Sequence, residues 1–146
     1  MSKREPEFYL IDIFVASNKI FRYVKEIANA DKLRWNELVW DGVIRELEIV
    51  GEATNNLLKF NLVDKKYRII VDFRNIIVHG YFGIDEEEVW AIIKDNLPMF
   101  LKELKELVKN KNIDVNEVIN YAIIENKKLD DVVSFLNNLQ EELSNN

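Results

Sequence analysis

Cysteine is absent from this 146-residue sequence, which removes any disulfide framework and any thiolate metal site. That absence fits a reducing compartment, and a cytoplasmic location is expected. Glycine occurs four times and proline twice, and β-branched alternation is scarce, so helical spacing dominates. The apolar residues after Met-Ser-Lys-Arg-Glu-Pro-Glu are interrupted by Asp12, Asn18 and Lys19. Neither a signal peptide nor a membrane span is therefore expected. No glycine-rich phosphate loop and no Ser-His-Asp order can be assembled. Histidine occurs once, at position 79.

Cations are in the minority. The formal net charge is −6 and the isoelectric point is near 4.9. A protein dedicated to nucleic acid usually carries a basic face. This one needs a local basic patch within an acidic whole, or two copies pooling their cations. An acidic surface also suits neutralisation by a basic partner.

What is present is helix, in an amount that suits one core. Residues 6–28 carry Leu10, Ile13, Ser17, Ile20, Val24 and Ile27 at intervals of three to four, with Pro6 in the first turn. Residues 35–60 carry a stripe of Trp35, Val39, Val43, Leu47, Val50, Ala53 and Leu57. Gly42 and Gly51 lie inside that helix at a propensity cost of about 1 kcal/mol each, which points to a close helix crossing or a bend. A shorter helix is predicted over 65–79, stopped by Gly80 at its C′ position. Asp85 reads as the N-cap of the next, with Glu88 completing a capping box and Glu86 and Glu87 at the positive helix end. That helix runs to about 108, bent or split by Pro98 after Asn96 or Leu97. Asn110-Lys111-Asn112 reads as a linker. Helices over 115–125, capped by Asp114, and over 129–143 follow, the last with Leu129, Val132, Val133, Leu136 and Leu139. The terminal Ser144-Asn145-Asn146 is expected to fray. The predicted architecture is an all-α antiparallel bundle over residues 1–109, with a helical C-terminal extension over 110–146 that packs on the bundle or on a second copy.

Chemistry converges on one stretch. Imidazole is the side chain that titrates near neutral pH, and the chain has one. Asn75 lies four residues before His79, about 40° away around the helix, so the two share a face. Arg74 lies about 140° from His79 and must reach it by length. Ile76, Ile77 and Val78 make the segment otherwise apolar. Two arrangements fit these residues equally. Arg74, Asn75 and His79 form a polar trio against an apolar helix, or Arg74 pairs with an acid on the second long helix while His79 caps its own helix end.

The stretch Phe73-Arg74-Asn75-Ile76-Ile77-Val78-His79-Gly80-Tyr81-Phe82-Gly83-Ile84-Asp85, with Val89-Trp90 after it, contains Arg-x4-His-x-Tyr. It resembles the HepT branch of HEPN proteins. Ile44-Arg45-Glu46-Leu47-Glu48-Ile49-Val50-Gly51-Glu52-Ala53 resembles the matching block on an earlier helix of that family. The similarity spans about residues 6–108 and does not extend to the C-terminal segment. It implies a HEPN-type bundle and a metal-independent endoribonuclease that needs no cofactor. It also implies a homodimer with motif residues of both copies lining one cleft. The implied partner is a small MNT-type nucleotidyltransferase antitoxin, which silences the toxin by attaching AMP to the motif tyrosine, here Tyr81.

The implied reaction is physically coherent. RNA supplies its own nucleophile, the 2′-hydroxyl, and cleavage needs a base, an acid and a cation for the phosphorane charge. His79 suits base or acid. Arg74 suits the phosphate oxygens. Asn75 can orient the imidazole or the phosphate, and Tyr81 can stack on a base or bond the phosphate. The alternative of a different class is a non-catalytic HEPN module that binds nucleotide or scaffolds a partner. Glu48 and Glu52, one turn apart, resemble half of a carboxylate metal site, but no Glu-x-x-His pair accompanies them, and no metal is expected. Lys65, Lys66 and Arg68 read as a solvated face, with phosphate tracking as the alternative. Trp35, Trp40 and Trp90 read as core or dimer surface.

Overall fold

The computed structural model describes residues 5–79 and 83–144. Gly80, Tyr81 and Phe82 lie outside the described residues, so the C′ stop at Gly80 and the accessible turn expected for Tyr81 fall there. Asn145 and Asn146 also lie outside. Among the described residues there is helix and no strand. The fold is an all-α HEPN-type bundle with a helical C-terminal extension.

Helix α1 (Pro6–Tyr23) begins with proline, whose missing N–H costs nothing in a first turn. It ends at Tyr23 rather than near residue 28; of the expected stripe Leu10, Ile13, Ser17, Ile20 and Val24 are buried, Ile27 beyond the helix is half-buried, and Ile11, Phe14 and Ala16 are buried as well. The wider burial arises because α1 is central: it packs against the long α3 and also against the C-terminal helices. The short α2 (Ala30–Arg34) was not predicted from periodicity. Asn29 caps it, accepting from Lys32 N at 2.9 Å. It lies on α5, joined by Arg34–Glu86 at 3.9 Å.

Helix α3 (Glu37–Lys59) starts two residues later than predicted, because Asn36 is the cap and accepts from Val39 N at 3.2 Å. Trp35 therefore leaves the apolar stripe: it is 71% exposed under the Arg34 guanidinium, and Trp40 is the buried tryptophan. Helices α1 and α3 run antiparallel, with Tyr23 at the end of α1 beside Gly42 near the start of α3.

The predicted third helix is a short 3-10 turn (Lys65–Tyr67) leading into α4 (Arg68–Val78), with His79 as its C-cap residue. The turn is tied to the distal bundle. Tyr67 stacks on Phe100 at 4.2 Å, and its hydroxyl donates to Glu103 Oε2 at 2.5 Å. Burial and this bond push the Tyr67 phenol upward, while the same bond and Lys66 hold Glu103 below the usual carboxylate range. Lys66 is thus engaged by Glu103 at 2.9 Å, while Lys65 and Arg68 remain exposed.

Asp85 caps α5 (Glu86–Ala91), accepting from Glu87 N at 2.9 Å, one residue short of the position a capping box uses. Proline 98 divides the helix as expected. It cannot donate to the carbonyl four residues earlier and crowds it, and the chain widens into a π turn (Ile92–Asn96) before α6 (Leu97–Asn110). Asn112, at φ 51°, turns the chain toward α7 (Asn116–Glu125) and α8 (Asp130–Ser144). The N-cap of α7 is Val115 rather than the expected Asp114, which lies one residue earlier and accepts from Asn116 N at 3.0 Å. Val115, Ile119, Val132, Leu136 and Leu139 join the same apolar core as α1, α3 and α6. Arg22–Asp131 at 3.6 Å and Lys105–Glu142 at 3.1 Å close the seam. No helix among the described residues is long and apolar enough to cross a membrane.

Candidate active site

The site begins with a missing side chain. Gly51 lies where α3 crosses α4, and a Cβ there would sit 2.2 Å from Arg74 Cβ, 2.7 Å from Arg74 Cγ and 3.3 Å from the Ile70 carbonyl. Only glycine lets the two helices approach this closely, so Gly51 fixes where the stem of Arg74 runs. Ile70, Val71 and Phe73 are buried on α4, and Ile70, one turn before Arg74, lies on the same face of the helix. The arginine emerges beside the α1–α3 seam, in a cleft of about 330 Å³ lined by Tyr9, Asp12, Arg45, Glu48, Ile49, Glu52, Ala53 and Arg74.

Of the two arrangements the sequence allowed, the chain adopts the paired arginine. Arg74 Nη2 meets Glu52 Oε2 at 2.5 Å, and Nη1 donates to Asn75 Oδ1 at 3.1 Å. Arg74 Nε is enclosed without a hydrogen-bond partner. Asn75 is half-buried and engages the arginine. His79 is exposed at the end of α4, where its backbone N–H donates to the Asn75 backbone carbonyl at 3.1 Å. It does not line the cleft at Arg74. Within one chain, therefore, α4 holds Arg74 and Asn75 together and presents His79 separately. Tyr81 lies outside the described residues.

Glu52 is the acid that pairs with Arg74, and Glu48 lines the same cleft one turn away. Among the described residues, no group of three or more His, Cys, Asp or Glu side chains is placed to hold a metal ion. Glu46 on the same helix is buried, and loss of solvation raises its carboxyl above the usual range against the opposing pull of Lys19 and Arg45. Tyr9, Asp12 and Arg45 were not singled out from the sequence. Their proximity to Arg74 comes from the α1–α3–α4 packing, and only Arg45 fell within a recognised block.

The helical bundle and the arginine-to-histidine helix define a HEPN-type protein. A family model described as HepT-like, ribonuclease HepT-like, matches residues 13–107, and the chain belongs to that family. A protein of Methanocaldococcus jannaschii named "Putative RNase MJ1380" is 35% identical over 108 residues, covering 72% of this chain and 98% of its own. One of Thermococcus cleftensis named "Probable ribonuclease HepT" is 32% identical over 110 residues, covering 73% of this chain and 99% of its own. No solved structure matches this chain. The family match ends at residue 107, before α7 and α8.

Proposed function

We propose that this protein is a metal-independent endoribonuclease, the toxin of a HEPN/MNT-type pair, acting as a homodimer. The observation that carries the reading is a HepT-like bundle in which the arginine of Arg-x4-His opens into a cleft large enough for a nucleotide fragment. Arg74 serves as the phosphate ligand, its permanently charged guanidinium suited to phosphate oxygens. Asn75 holds that guanidinium from one side. His79 accepts the 2′-hydroxyl proton or protonates the leaving 5′-oxygen. A second copy brings its own Arg74 and His79 to the same cleft, which supplies base and acid together and pools cations that one acidic chain lacks. Tyr81, two residues beyond His79, is the proposed target of AMP transfer by a nucleotidyltransferase antitoxin. The added phosphates would compete for Arg74 and fill the cleft.

The test is incubation of purified protein with total RNA in excess EDTA, followed by end analysis. Fragments with 2′,3′-cyclic phosphate and 5′-hydroxyl ends are expected. Cleavage that needs a divalent ion would refute the mechanism. One observation favours the non-catalytic alternative: Arg74 is ion-paired with Glu52, and within one chain His79 lies outside its cleft. Sedimentation separates the readings. The catalytic one requires at least a dimer at micromolar concentration, and a clean monomer favours the scaffold.

A further inference from the structure

The guanidinium of Arg74 is loaded with an anion before any substrate arrives. Glu52 holds Nη2 at 2.5 Å, Asn75 holds Nη1 at 3.1 Å, and Nε is enclosed. The two partners of the ion pair differ in freedom. The arginine side chain is 25% exposed and its stem is fixed against Gly51, whereas the glutamate is 52% exposed at the rim of the cleft. When a phosphate approaches, the arginine stem is held at Gly51, and the more exposed carboxylate is the group with more room to leave. Carboxylate and phosphate oxygens satisfy the same fork, so the two compete for one position.

We propose that Glu52 is an internal competitor for the substrate phosphate and sets how tightly the cleft holds RNA. This rests on the reading of Arg74 as the phosphate ligand. In the resting protein Glu52 keeps a largely buried cation paired, which lowers the cost of holding it in place. On binding, the phosphodiester takes Nη2 and the Glu52 carboxylate turns to solvent. RNA affinity is reduced by the strength of the displaced pair. A pair this exposed is weak, so the reduction is modest, roughly three- to fivefold. Glu48 provides an internal comparison. It lines the same cleft and carries the same charge, and it lies one helical turn from Glu52. The carboxylate paired with Arg74 is that of Glu52.

The experiment is fluorescence anisotropy of the full chain with a short single-stranded RNA carrying 2′-O-methyl groups throughout, which removes the nucleophile and leaves binding alone. Glu52→Gln should tighten binding three- to fivefold, and Glu52→Ala should do the same without leaving an amide on Arg74. Glu48→Gln, which removes equal charge without freeing Arg74, should gain less than half as much. Adding Arg74→Ala to Glu52→Gln should erase the gain. Binding that is unchanged or weaker in folded Glu52→Gln and Glu52→Ala would overturn the proposal, as would an equal gain from Glu48→Gln or no RNA binding by any variant. The ribonuclease reading fails separately: if wild type binds this RNA but never cleaves its unmodified form, that reading falls while the affinity ratios still decide the role of Glu52.

Discussion

Gly51→Ala should be damaging at a position where helix propensity alone favours alanine. Adding a methyl to a glycine within a helix ordinarily gains about 1 kcal/mol. At Gly51 the new Cβ meets Arg74 Cβ at 2.2 Å and the backbone carbonyl of Ile70 at 3.3 Å, and neither is the flexible end of a side chain. Relief requires α3 and α4 to part by more than an ångström, loosening the packing of Val50, Leu57, Ile70 and Phe73. Overpacking of this kind costs about 1–3 kcal/mol, and more when backbone must move, so the net loss is about 1–2 kcal/mol. For a chain of this length that lowers Tm by roughly 3–8 °C. Gly42→Ala is the matched control. Its Cβ meets the ring of half-buried Tyr23 at 3.2 and 3.3 Å, and that ring can give by a few tenths of an ångström. Its Tm should hold or rise by about 1–3 °C. Parallel thermal melts by circular dichroism decide the matter. A Gly51→Ala protein as stable as Gly42→Ala would show that the α3–α4 crossing does not press on Arg74 as described.

Other expectations follow from the same contacts. Tyr67→Phe removes the bond to Glu103, whose partial exposure discounts its worth to about 1 kcal/mol, and should lower Tm by about 2–4 °C. Glu103 is held below its usual value of 4.5, so its stabilisation is present above that pH and is lost as pH falls through the lower folded value. Melts from pH 6 to pH 3 should therefore show a shallower acid loss in Tyr67→Phe. Glu46 has the opposite sign, because burial raises its carboxyl above 4.5 and its charged form is a burden at neutral pH. Glu46→Gln should stabilise the fold at pH 7, with the gain fading as acid protonates the wild-type carboxyl; a gain that grew toward low pH would contradict this. Leu136→Ala, at a fully buried site on α8, should cost about 2–5 kcal/mol while leaving RNA cleavage per folded molecule unchanged. Intact-mass spectrometry after co-expression with a cognate nucleotidyltransferase should find AMP on Tyr81 and none on Tyr81→Phe. Full inhibition of Tyr81→Phe without any adduct would mean that inhibition is by binding alone.

The long helices were legible because burial on one face leaves a three-to-four-residue period. Leu10 to Val24 and Val43 to Leu57 show it, and the division of the α5–α6 helix was legible from the chemistry of Pro98. Helix α2 was not, since five residues complete too little of a period to register and its cap is a single asparagine. Trp35 was misplaced because a spacing rule cannot tell that Asn36 starts the helix. In the site, the Arg-x4-His spacing marked Arg74, Asn75 and His79, and the close crossing suspected at Gly51 exists. Which acid takes Arg74 was not legible, because Glu48 and Glu52 share one face and only the register of α4 against α3 selects between them.

The most direct test of the account is the rate of RNA cleavage in EDTA by wild type and His79→Ala, under single-turnover conditions, with both proteins checked for equal melting. His79 is exposed at the end of α4, so its replacement should leave the fold intact. A base or acid that takes part in the transition state contributes about a hundredfold or more. The account predicts a loss of that size in His79→Ala, and a rate equal to wild type would contradict it.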